Sequence, residues 1–75
     1  MNTMVFQPVG LPPLAFLRQA HIEGRNGIAA LTIEDRRRGE ICMKAGYLVR
    51  FAPLDPRFYI TEKGVAYLER IARAH

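Results

Sequence analysis

Tyr47-Leu48-Val49-Arg50-Phe51-Ala52-Pro53-Leu54-Asp55-Pro56-Arg57-Phe58-Tyr59-Ile60-Thr61-Glu62-Lys63-Gly64 reads as a β-hairpin that runs straight into a capped helix. Alternation puts Tyr47, Val49 and Phe51 on one face of an extended strand and Leu48, Arg50 and Ala52 on the other. Phe58 and Ile60 repeat that alternation on the return strand, and Pro53 to Arg57 form the turn. Thr61 then supplies a side-chain oxygen for the first free N–H groups of a helix from Glu62 to about Ala74. Val65, Leu68, Ile71 and Ala72 lie on one stripe of that helix, which should pack back across the first helix.

Upstream of the hairpin, Gly46 is the residue type that ends a helix in a left-handed turn. Thr32 followed by Asp35 matches a capping residue with a carboxylate three positions later, which predicts a helix from Ile33 to about Ala45. Glu34 and Asp35 also suit the positive end of its dipole. Ile41, Cys42 and Ala45 are its expected apolar side; after Ile33 the first half carries no apolar residue and should project from the core.

Pro12 and Pro13 fit a helix entry, and Leu14, Leu17 and Ala20 or His21 follow at helical spacing, so a first helix is expected from about Pro13 to Ile22. Gly24, Asn26 and Gly27 break it. Ile28 to Leu31 remain as a very short second helix or a single turn. Residues 1–11 mix Val5, Phe6 and Val9 with Pro8 and Gly10, the composition of an extended arm that must lie on something apolar. That surface is either the domain's own core or a second subunit.

The chain has 75 residues, 49% of them hydrophobic, enough for one modest core and no second domain. Its net charge of +4 and pI near 9.8 favour an anionic partner. A single cysteine, Cys42, excludes an intramolecular disulfide and a cysteine-based zinc site. No apolar run approaches the roughly 20 residues of a membrane span, and no basic segment leads into a signal-like core, so the cytoplasm is the expected compartment.

In the helix end Lys44-Ala45-Gly46 leading into Tyr47-Leu48-Val49-Arg50, and in Tyr59-Ile60-Thr61-Glu62-Lys63-Gly64 followed by Tyr67-Leu68-Glu69, the chain resembles the winged helix-turn-helix family of small bacterial and phage regulators. The likeness covers roughly Leu14 to Ala74. It implies an α+β fold, mainly α, of three to four helices and a two-stranded hairpin wing, with residues 12–75 as the domain. Ile33 to Ala45 then takes the place of the recognition helix, Leu48 to Ile60 that of the wing, and Thr61-Glu62-Lys63-Gly64 opens the closing helix. The segment for the second helix, Asn26 to Leu31, is shorter than this family provides. The tip Pro53-Leu54-Asp55-Pro56 is apolar and acidic where a DNA-contacting wing carries basic residues or glycine.

Arg36-Arg37-Arg38 is the leading functional candidate, because guanidinium groups pair with phosphates and read guanine edges. At about 100° per residue the three fan around the helix. With the apolar side near Ile41 and Ala45, Arg36 should point most directly outward and Arg37 and Arg38 along opposite flanks. Arg36, Glu40 and Lys44 could equally form a solvated face of spaced ion pairs. Lys44, Arg25, Asn26, Arg50 and Arg57 complete the DNA-binding candidates. Gly39, expected beside Arg36 and Met43 on the outward face, would let another backbone approach. Gly39, Met43 and Leu54 are accordingly the candidates for a protein-docking surface.

No metal-ligand spacing and no catalytic constellation emerges, and Cys42 reads as an inert small hydrophobe. No cofactor is expected. Tyr47, Tyr59 and Tyr67 read as core-edge aromatics rather than base-stacking platforms. The expected function is a small transcriptional regulator that places helix 33–45 in the major groove of double-stranded DNA, mainly through Arg–phosphate contacts, and acts as a homodimer. The alternative is a protein-interaction module, a phage or host accessory factor that binds no DNA.

Overall fold

The computed structural model describes residues 5–73. Residues 1–4 of the expected arm, and Ala74 and His75 at the other end, lie outside the described residues. The fold is α+β and mainly helical. Its elements are α1 (Leu11–Glu23), a 3₁₀ turn (Gly24–Asn26), β1 (Ile28–Ala29), α2 (Ile33–Lys44), β2 (Leu48–Val49), β3 (Arg57–Ile60) and α3 (Glu62–Arg73).

The helix ends follow from named residues. Pro12 and Pro13 sit in the first turn of α1, where their missing N–H groups cost nothing, so α1 begins at Leu11 and the arm ends at Gly10. The Thr32 hydroxyl accepts the Asp35 N–H at 3.0 Å and caps α2. The reciprocal half of a capping box is not made, because the Asp35 carboxylate turns to Arg38 instead. At the other end of α2, Gly46 has φ of 86°. Its N–H donates to the Met43 carbonyl at 2.9 Å and that of Tyr47 to Cys42 at 2.8 Å, the paired bonds of a Schellman stop. Thr61 ties this stop to α3: its hydroxyl donates to the Gly46 carbonyl at 2.6 Å and accepts the Gly64 N–H at 3.0 Å.

Ile28 to Leu31 form no helix. Gly27, with φ of 72°, turns the chain out of the 3₁₀ turn. Ile28 and Ala29 then pair antiparallel with Phe58 and Arg57. The Ala30 N–H donates to the Pro56 carbonyl at 2.8 Å, which holds this segment against the hairpin tip. The sheet therefore has three strands in the order β1-β3-β2, not two, with Leu48 opposite Ile60 and Val49 opposite Tyr59. No second helix precedes α2, so α1 and α2 do not form a pair of helices joined by a short turn.

The core gathers Leu14, Phe16, Leu17 and Ala20 of α1 with Ala30, Cys42, Ala45, Tyr47, Leu48, Phe58 and Tyr67. Complete burial contributes about 1.5–3 kcal/mol each for side chains of the size of Leu17 and Phe58. Tyr47 stacks on Tyr67 with ring centres 4.3 Å apart, and Phe16 meets Phe58 edge to face at 6.0 Å. Residues 5–10 lie over the chain's own core: Phe6 sits 5.9 Å from the Tyr67 ring, and the Tyr47 hydroxyl donates to the Gln7 carbonyl at 2.6 Å.

Candidate nucleic-acid interface

The rotation of α2 about its axis decides which of its cations are free to meet a partner. Its inward face is Gly39 and Cys42, flanked by Asp35, Arg38 and Met43. The expected wheel, centred on Ile41 and Ala45, is therefore turned. Ile41 is 45% exposed and Ile33 66%, whereas Gly39 is buried rather than outward. A Cβ at Gly39 would lie 2.5–2.8 Å from three ring atoms of Phe58, so the glycine admits the aromatic ring that α2 packs on. Met43 is half-buried against the core for the same reason. Of the three candidates for a docking surface, Gly39 and Met43 thus face inward, and Leu54, 95% exposed at the hairpin tip, faces solvent.

The three arginines part accordingly. Arg37 points most directly outward and shares the exposed side with Ile33, Glu34, Ile41 and Lys44. Arg36 and Arg38 take the flanks. Arg38 donates to the Asp35 carboxylate at 3.1 Å, which neutralises it locally. Arg36 lines a cleft of about 110 Å³ between α2 and the hairpin tip, together with Ala30, Arg50, Leu54, Asp55 and Phe58.

Arg50 is committed within the hairpin, and Arg57 is tied by one bond to the 3₁₀ turn. Arg50 opposes Phe58 by strand register, so it shares the core-side face. Its guanidinium lies 4.7 Å from the centre of the Phe58 ring and donates to the Pro53 carbonyl at 3.0 Å, while its Nε is buried without a partner. Arg57 stays exposed but donates to the Asn26 carbonyl at 2.9 Å, and its backbone N–H goes to Asp55. Asn26 is thereby tied to the hairpin, and Arg25 remains exposed beside it.

The sheet face turned away from α2 forms a second surface. Tyr47 and Tyr67 are buried as core aromatics, but Tyr59 stands on the sheet face away from α2, where Phe51 lies 4.9 Å from it and is 75% exposed. Cys42 has the opposite environment. It is wholly buried, its thiol faces the Pro13 carbonyl at 3.4 Å, and burial pushes its pKa up to about 11.

Among the described residues, no three His, Cys, Asp or Glu side chains group where they could hold a metal, and no helix is long and apolar enough to cross a membrane. No protein-family model, curated protein or solved structure matches the chain. Its own geometry is what bears on function.

Proposed function

We propose that the chain is a compressed winged-helix regulator that binds double-stranded DNA with the outward face of α2 in the major groove. The observation that carries this reading is the placement of Arg37 and Lys44, about two turns apart on the exposed side of α2, with Arg36 on the flank toward the hairpin. Phosphate pairing by these three cations supplies most of the affinity. Ile33 and Ile41 on the same face can meet thymine methyl groups, and Glu34 can accept from a cytosine amino group. A single domain of this size offers few contacts, so two copies on paired half-sites complete the binding unit. Arg37→Ala and Lys44→Ala should each weaken duplex binding about tenfold, and Arg38→Ala, whose partner is Asp35, should change it less than threefold.

A second reading is favoured by the exposed Leu31, Ile33, Ile41 and Leu54, which give α2 and its surroundings an apolar character unusual for a phosphate-binding surface. On this reading the same face docks a protein, and its anchors are these residues and not Gly39 or Met43. Absence of duplex binding even at low salt would decide for it.

A further inference from the structure

The face of the sheet turned away from α2 carries none of the residues to which duplex contacts are assigned above, and its composition is specific. The strand register puts Gly27, Tyr59 and Val49 in one row across the sheet. Continued by two residues, the same register puts Ala29, Arg57 and Phe51 in the next row on the same face. The Tyr59 ring packs against the bare Cα of Gly27, where a Cβ would come within 2.6–3.0 Å of three of its atoms, and Phe51 lies 4.9 Å from it, tilted by 45°. Tyr59 is thus packed on the chain's own backbone, while Phe51 stays 75% exposed. Beside it is a shallow hollow of about 440 Å³ lined by Gly24, Arg25, Phe51, Tyr59 and Ile60, with no carboxylate in the lining. Arg25, in the lining, is exposed, and so is Arg57, which the register places across from Phe51; the bond from Arg57 to Asn26 uses one N–H of its guanidinium.

An exposed aromatic ring that shares its surface with cations is the chemistry that holds an unpaired base by stacking and its phosphate by charge. We propose that this sheet face binds single-stranded nucleic acid, with a base stacked on Phe51 and Tyr59 and the backbone phosphates on Arg25 and Arg57. The charge complementarity favours this occupant over a second copy of the chain, whose own Arg25 and Arg57 would repel across a two-fold contact. The site is independent of the duplex-binding face, since it uses none of Arg36, Arg37 or Lys44.

The chain contains no tryptophan, so Phe51→Trp installs a single reporter at the site. Titration of the full-length protein with oligothymidylate or oligouridylate about eight nucleotides long should quench that fluorescence; comparing the two separates DNA from RNA preference. Phe51→Ala, at an exposed position that leaves the core intact, should weaken oligonucleotide binding at least about tenfold. Arg25→Ala should lower the slope of log affinity against log salt by about 0.7. Arg37→Ala with Lys44→Ala should leave this binding unchanged even where it abolishes duplex binding, which keeps the two sites distinguishable. Unquenched Phe51→Trp fluorescence with both oligonucleotides, or equal affinity in wild type and Phe51→Ala, would overturn the proposal. So would a dimer in sedimentation that Phe51→Ala converts to monomer.

Discussion

Gly39 sets the contact between α2 and the sheet, and its behaviour on substitution separates the two rotations of the helix. At an exposed helical position, exchanging glycine for alanine would gain about 1 kcal/mol. Against the Phe58 ring the added carbon overpacks the core, at a cost of about 1–3 kcal/mol. Gly39→Val should therefore destabilise the domain by about 2–3 kcal/mol in urea unfolding, and Gly39→Ala should lose stability rather than gain it. Cys42 gives a second check at this scale. Its thiol keeps its proton in the folded state up to a pKa of about 11, whereas the unfolded thiol releases it near 9.0. Between those values the unfolded chain binds fewer protons, so stability falls as pH rises. Burial raises the Tyr47 hydroxyl in the same direction. A shallower alkaline fall in Cys42→Ala than in wild type isolates the thiol's share, and iodoacetamide should modify Cys42 only as fast as the domain opens.

The element boundaries that the sequence disclosed are those set by one residue and its immediate neighbours. Thr32, Gly46 and Thr61 punctuate α2 and α3 through hydrogen bonds that span three to five residues, or that join two adjacent ends. What stayed hidden depends on distant partners. Ile28 and Ala29 become a strand only because Phe58 and Arg57, about thirty residues later, pair with them, and two residues carry no readable alternation. The inner face of α2 differs from the expected one because Ile41, an expected core residue beside Cys42 and Ala45, is partly exposed, while the group that fills the inner side is the Phe58 ring received by a glycine. Arg50 is a phosphate candidate on sequence for a related reason: strand parity places it beside Leu48, yet only the register across to Phe58 reveals the ring it covers. Arg50→Ala should consequently cost about 1–2 kcal/mol of stability, from the lost ring contact and the bond to Pro53, and leave duplex affinity within about twofold.

At the scale of the whole molecule, the net charge of +4 is not spread as one patch. Arg38 is matched by Asp35, Arg50 lies over Phe58 and Arg70 over Phe6. Lys63 lies over Tyr47, and Arg18 and Arg73 are exposed on α1 and α3; Arg36, Arg37 and Lys44 stand around the exposed side of α2, and Arg25 and Arg57 stand exposed near the sheet face turned away from it. Salt dependence reads this partition directly, because each cation that displaces a counterion from duplex DNA contributes about 0.9 to the slope of log affinity against log salt. Fluorescence anisotropy of a labelled duplex long enough for one half-site only, titrated with the whole chain from about 50 mM to about 200 mM salt, should give a slope near −3 from the three α2 cations of the one bound copy. Arg37→Ala should reduce its magnitude by about one. A duplex affinity that is undetectable at the lowest salt, or a slope that Arg37→Ala and Lys44→Ala leave unchanged, would contradict DNA binding through α2.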